Sequence, residues 1–426
     1  MKSLSTNNTL KRLFSSLLFV ILLVAALYGC TKLTEDKISR EIKGSFFESE
    51  TNMDVIFMGT SHMYNGVLPM ELWNEYGIAS YNWGYSNSTP AQNYYVLKEV
   101  VKYTNPKVVV LDMNGLVEYN DDGNGKYRHD AIMQSRVLFD SFPISLNKIQ
   151  AVNDLFDDYD NRADFLWDYI IYHSRWASMN SVSDINPIKS TEMGAYFLDD
   201  HIGAGFNPIS PDDKLDNIEQ YVCYDYLIKT LEFCQQKGIA VLGVYLPHVM
   251  DDTSQRVANT IGDTFDKYDG CTYFNMINQG ILAYNTDMYA DGGHVNYSGA
   301  CKTTSWLGNY LKNNYSLDDY SQNPYWQDCY NKYIDYRISV LQKQDSLINY
   351  LMLLKNPGIT VSIEFYDENL WYDEVIASEV YFGRLSPAMS YDGPDGCAAH
   401  IITYYQDGSV ADEAYFYQMD GDYCRK

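Results

Sequence analysis

From about residue 53 the chain alternates short, continuous apolar runs with longer stretches of helical apolar spacing. "DVIFM" (54–58), "IASYNW" (78–83), "PKVVVLDM" (106–113), "IAVLGVYLP" (239–247) and "CTYFNM" (271–276) predict buried strands, being short, rich in β-branched or aromatic residues and bounded by turn formers. In "STPAQNYYVLKEVVKY", Thr89 is an N-cap, Pro90 takes the first helical position and Gln92 completes a capping box, so a helix should run to about Tyr103. "YLIKTLEFCQQKG" (226–238) predicts a helix stopped by its glycine, and "SGACKTTSWLGNYLKNN" (298–314) a closing helix. Strands alternating with helices predict a parallel sheet covered on both faces. The expected fold is a three-layer, doubly wound α/β/α sandwich of the flavodoxin-like kind, which binds ligands at the carboxyl ends of its strands.

Between the third and fourth strands lies an insertion, about 120–220, too long for a bare loop. "SLNKIQAVNDLF" (145–156) and "ADFLWDYIIYHSRW" (163–176) carry helical spacing and predict a helical cap. After about residue 318 the character changes. "QDCYNKYIDYRISVLQKQDSLINYLMLL" (327–354) predicts one or two helices, while "GITVSIEFYD" (358–367) and "CAAHIITYYQDGSVADEAYFY" (397–417) alternate like a β-hairpin with its turn at Asp407-Gly408. Residues 318–426 are therefore expected to form a small, separate α+β domain.

The first thirty residues stand apart from the fold. Lys2, Lys11 and Arg12 precede "LFSSLLFVILLVAALYGC", which has the form of a signal peptide or a membrane anchor. Leu27, Gly29 and Cys30 resemble a lipobox, with Tyr28 where that motif prefers a smaller residue. An uncleaved anchor is the favoured reading, with the bulk of the chain on the extracytoplasmic face by the positive-inside rule.

Charge narrows the partners. With 56 acidic against 31 basic residues the net charge is −25, which opposes binding to a phosphate backbone, so no nucleic-acid partner is expected. The 40 tyrosines suit sugar-facing surfaces and ordinary cores alike. The cysteines beyond Cys30 show no C-x-x-C spacing, so neither a zinc cluster nor a disulfide framework is legible.

Two distant segments carry the candidate chemistry. In "VIFMGTSHMYNG" (55–66) a strand runs into Gly59 and Ser61, which is the form of a nucleophile turn; serine is also a common helix N-cap. In "DMYADGGHVNYSGA" (287–300) Asp291 precedes His294 by three residues. A hydroxyl nucleophile needs a base in hydrogen-bond reach, itself oriented by a carboxylate, and this loop offers both. Asp287 is a second candidate for the carboxylate. Structural roles also suit these residues, His294 as a core histidine and Asp291 as a turn former. Oxyanion donors are expected from the Gly84 backbone and the Asn114 side chain. His62, beside the nucleophile, and Arg175, beside Trp176, are candidate substrate contacts, with packing and a surface ion pair as their respective alternatives. His173 and His248 receive no role, and Asn296 should steady the turn before the closing helix.

The ordered set Ser61, Gly84, Asn114 and Asp291-x-x-His294, each following a strand, resembles the SGNH/GDSL hydrolase superfamily over about residues 53–315. Within it, the apolar N-terminus, "GTSHMYNG", "YHSRW" (172–176) and "DGGHVN" look most like the bacterial envelope members of DltD-like and alginate-acetylation type. The third block differs from the familiar G-x-N-D, reading Asp112-Met113-Asn114-Gly115, and the first reads G-T-S-H. The resemblance implies a Ser61 nucleophile, a His294 base oriented by Asp291, the Ser61 and Gly84 backbones as oxyanion donors, and no metal or organic cofactor. It further implies a membrane-tethered esterase or O-acyltransferase handling acyl groups, chiefly acetyl, on an acylated carbohydrate or cell-envelope polymer. The competing expectation is a non-catalytic polysaccharide-binding or assembly protein that keeps the fold.

Overall fold

The computed structural model describes residues 3–49, 51–117, 132–156, 159–177, 190–355, 358–419 and 421–426. The chain divides into two compact units, one of residues 1–45 with 121–189 and one of residues 46–120 with 190–426. These boundaries differ from those expected from sequence. Only 121–189 of the insertion joins the N-terminal residues, and 318–426 falls in the same unit as the parallel sheet.

That sheet has five parallel strands: β1 (Val55–Met58), β2 (Ser80–Asn82), β3 (Val108–Asp112), β4 (Ala240–Tyr245) and β5 (Cys271–Asn275), in the order β2-β1-β3-β4-β5. All five coincide with the predicted runs, and the order is that of the flavodoxin-like doubly wound fold. β1, β2 and β3 are buried at every position because both faces are covered. One face, including Val55, Phe57, Val110 and Leu242, packs against Leu307 and Leu311 of the helix Tyr297–Asn314. The opposite layer contains the helices Pro90–Val100 and Tyr224–Lys237, which pack on each other. The first has the expected capping box of Thr89 and Gln92; the second ends on Gly238 in the left-handed conformation.

The edge strand β2 is covered by residues 190–200. Asn82 N–H donates to the Met193 carbonyl at 2.9 Å, and a side chain at Gly194 would strike the Asn82 carbonyl at 2.3 Å. That docking explains why this stretch belongs with the sheet rather than with the insertion.

A second sheet follows: β6 (Thr360–Phe365), β7 (Ala388–Met389), β8 (Cys397–Tyr404), β9 (Val410–Met419) and β10 (Asp422–Arg425), in the order β10-β9-β8-β6-β7. The β8–β9 hairpin turns at Asp407-Gly408, as the sequence implied, with Gly408 at φ 83°. The predicted helical region preceding it is two helices, Pro324–Leu341 and Leu347–Met352.

A buried ionic cluster ties this half to the first. Glu71, on the helix Pro69–Tyr76, accepts from Arg337 Nη1 at 2.9 Å, Lys355 Nζ at 3.1 Å, Tyr297 Oη at 2.7 Å and Tyr333 Oη at 3.0 Å. Burial opposes its ionisation, yet Lys355, then Arg337 and the Tyr297 hydroxyl, hold its carboxyl down at about 2.

In the other unit a helix runs Ser3–Thr34, and Thr9–Thr34 within it is long and apolar enough to cross a membrane. The insertion supplies the helices Ile132–Asp140, Leu146–Leu155, Tyr159–Leu166 and Tyr169–Tyr172, the last continuing as a 3-10 turn His173–Ala177. The helical spacing over 163–176 is thus shared among three short pieces.

Candidate active site

In the flavodoxin-like order, β1 and β3 are the neighbours at which the chain's winding reverses, and the crevice beyond their carboxyl ends is where such sheets bind ligands. Ser61 follows β1 there. Gly59 makes the turn feasible, since a side chain on it would meet Asp112 Cβ at 2.5 Å at the end of β3. Thr60, not Ser61, is the N-cap of the helix Ser61–Gly66: its hydroxyl accepts from the His62 N–H at 3.3 Å and donates to Asp112 Oδ2 at 3.1 Å. The sequence left open whether Ser61 was cap or nucleophile. With the cap supplied by its neighbour, Ser61 takes the first helical position with its hydroxyl directed elsewhere.

That hydroxyl lies 2.7 Å from His294 Nε2, across 233 residues of sequence. His294 Nδ1 is 2.6 Å from Asp291 Oδ2, while Asp291 Oδ1 accepts the backbone N–H groups of Gly293, at 2.9 Å, and His294, at 3.0 Å. Partial burial opposes the Asp291 charge, but the His294 backbone and ring and the Gly293 N–H outweigh it and hold the carboxyl below its ordinary value. An ionised Asp291 accepting from Nδ1–H leaves Nε2 as the acceptor facing Ser61. The loop is fixed by Tyr289 N–H donating to the His294 carbonyl at 2.8 Å, by the left-handed turn at Gly292, and by Asn296, the N-cap of the closing helix. The histidine and aspartate side chains are 26% and 44% exposed, so small molecules can reach them.

Asp287, the alternative carboxylate, is turned away from this chemistry. It is fully buried and accepts from Lys302 Nζ at 2.5 Å, Ala283 N–H at 2.7 Å and Thr286 Oγ1 at 3.0 Å.

The expected oxyanion donors need correction in part. The Gly84 N–H donates to Asn82 Oδ1 at 2.8 Å. Gly84 is instead a close-approach residue, since a side chain there would meet Met63 Cβ and the Tyr64 nitrogen, each at 2.8 Å. Asn114 Nδ2 donates one hydrogen to Asp112 Oδ1 at 2.7 Å and carries a second. The Ser61 N–H, at the first helical position, is one of the four that a helix leaves without an internal partner. Asp112, which gathers Thr60 and Asn114, is pushed up to about 6 by burial, against those hydrogen bonds.

His62 is the middle of a column of imidazoles, its ring 3.6 Å from that of His248 and 4.8 Å from that of His294. Desolvation, then His248 and His294, holds His62 well below the ordinary imidazole range, and burial pushes His248 down to about 4. Two neutral rings thus stack beside His294. His248, whose Nδ1 is 3.0 Å from the Leu246 carbonyl, was without a role in the sequence reading and only the fold reveals its place. Asn82 was also missed: its amide donates to the Met63 and Val67 carbonyls at 2.7 and 2.8 Å, binding the end of β2 to the Ser61 helix. Arg175 and His173 belong to the other unit, where Arg175 donates to the Thr34 carbonyl at 3.2 Å and His173 Nδ1 is 2.8 Å from the Ile170 carbonyl.

No family model and no curated protein matches the sequence. Among solved structures the chain is similar to a provisionally assigned acylhydrolase from Bacteroides fragilis, at 11% identity and a TM-score of 0.32, over 63% of this chain and 94% of that one.

Proposed function

We propose that the protein is a membrane-tethered serine esterase or O-acyltransferase that handles acyl groups, chiefly acetyl, on an acylated carbohydrate of the cell surface. The observation that carries the reading is the unbroken run Asp291–His294–Ser61, with separations of 2.6 and 2.7 Å. Ser61 Oγ attacks the acyl carbonyl while His294 Nε2 takes its proton, and the ionised Asp291 stabilises the resulting imidazolium. The Ser61 N–H and the second Asn114 amide hydrogen are the donors best suited to the oxyanion. Collapse of the tetrahedral intermediate breaks the ester C–O bond, and His294 returns its proton to the departing alkoxide. Water or a second sugar hydroxyl, deprotonated by His294, then attacks the acyl-Ser61 ester and releases the serine. Which acceptor wins decides hydrolase against transferase.

Incubation with p-nitrophenyl acetate should add one acetyl mass to the peptide containing Ser61, and Ser61→Ala should abolish both the adduct and turnover. An unlabelled serine together with undiminished turnover in the variant overturns the mechanism. The engaged Gly84 N–H favours the rival reading of a non-catalytic polysaccharide-binding or assembly protein, for which neither adduct nor turnover is expected.

A further inference from the structure

In the N-terminal unit the segment following Phe165 is held against the end of the apolar helix. The Trp167 indole N–H donates to Thr31 Oγ1 at 3.1 Å, and Arg175 Nη1 to the Thr34 carbonyl at 3.2 Å. Trp167 also stacks on Tyr169, with ring centroids 5.6 Å apart. Despite these ties, Trp167, Ile170, Ile171 and Trp176 are 39%, 40%, 42% and 72% exposed. So many large apolar side chains facing outward within ten residues mark a surface that meets something other than water.

The position of the segment identifies its partner. Lys11 and Arg12 mark one end of the apolar span; at ~1.5 Å per residue a hydrocarbon core of about 30 Å is crossed in about 20 residues, which reaches Thr31. Trp167 and Arg175 therefore grip the helix at the level where it leaves the hydrocarbon. That is the level tryptophan and tyrosine prefer, their rings in the acyl boundary and their polar tips among the headgroups.

We propose that residues 167–176 form a membrane-interface platform, seated in the headgroup–acyl boundary of the bilayer that the N-terminal helix enters. The proposal rests on the reading of that helix as a retained anchor. The segment carries one acid, Asp168, and one base, Arg175, so its attraction is apolar and insensitive to salt. Its role is mechanical, since a single helix fixes neither its depth nor its rotation, and a second contact beside it restrains both.

The test uses the full chain reconstituted in phosphatidylcholine vesicles, with acyl chains brominated either near the headgroup or near the bilayer centre. Wild-type tryptophan emission should be quenched more by the shallow bromines at low and high salt alike, and that excess should vanish in the Trp167→Phe, Trp176→Phe double variant. Ile170→Asp with Ile171→Asp should reduce the excess while the chain still floats with the vesicles. Equal shallow quenching in wild type and the double variant, or no shallow excess in a chain that floats, overturns the platform and leaves the anchor standing. A chain that does not float at all overturns both.

Discussion

The molecule uses acid–base pairs in two opposite ways on the same pair of segments. After β1, the chain passes through Ser61 and on to Glu71; after β5, it passes through Asp291 and His294 and on to Tyr297. One end of each segment meets in the Asp291–His294–Ser61 run, partly open to solvent. The other ends meet in the Glu71–Tyr297 contact, where Arg337 is 0% exposed and Glu71 1%. Solvent separates the two outcomes. Where water reaches, the paired groups stay accessible to solutes; where it is excluded, the charges are fixed by mutual neutralisation and serve to align the helices that carry them.

The sharpest break of this comparison removes the chemistry without the scaffold. Ser61→Ala should lower turnover of an activated acetyl ester by a factor on the order of 10⁴ or more, by analogy with other serine-based triads. The thermal unfolding temperature should stay within the scatter of a surface change, because Thr60 rather than Ser61 caps the helix. A large drop in thermal stability would mean that Ser61 is structural after all.

The converse break is Arg337→Met. Leaving Glu71 buried without its guanidinium partner should cost about 3–5 kcal/mol of stability, read as lowered resistance to heat or urea. Turnover per folded molecule should fall far less than in Ser61→Ala. Acid should act in the same direction. Glu71 is held at about 2 when folded against an ordinary 4.5, so its contribution is present above about pH 4.5 and is lost as pH falls toward 2.

Glu192 gives the opposite pH dependence. It is buried on the segment that covers β2, where its Oε1 accepts only the Phe197 N–H at 3.1 Å among the described hydrogen bonds, and burial pushes it up to about 8. A carboxyl raised when folded favours the native state below its ordinary value of about 4.5, and that advantage is lost as pH rises through 8. Glu192→Gln keeps the acceptor and removes the titration. The variant should gain on wild type between pH 5 and pH 8, by on the order of 3 kcal/mol at most, in urea unfolding at the two pH values. An unchanged difference would show that Glu192 stays solvated.

How much of this was legible beforehand follows from the range of each signal. The central strands β1, β3 and β4 were readable because burial on both faces leaves a near-continuous apolar run, β2 and β5 by their aromatic residues between turn formers, and the Thr89–Gln92 capping box because it is local. The pairing of Asp291 with His294 was readable because both residues share one turn. The Glu71–Arg337 pair was not, since its partners lie 266 residues apart and each alone resembles a surface charge on a helix. Nor was the imidazole column, because stacking of His62 on His248 depends on where β4 ends relative to β1. The Gly84 assignment failed for a local reason: Asn82, two residues earlier, reaches its N–H first.

Asn296 lies between the two regions and supplies the smallest test. Its side chain caps the helix Tyr297–Asn314 by accepting from Gly299 N–H at 3.0 Å, and its amide ties back to the Thr286 carbonyl at 2.8 Å. His294 stands two residues before it and Tyr297 one after, so the cap fixes the angle between the loop that holds His294 and the helix that carries the buried tyrosine. Asn296→Ala should cost about 1 kcal/mol of stability, the usual loss of an N-cap. If the loop and the helix move as one body, turnover should fall by less than about tenfold, with the stability loss accounting for most of the phenotype. A fall in turnover approaching that of Asp291→Asn, at the same small stability cost, would show instead that the cap acts on the site itself, holding the His294 ring in line with Ser61.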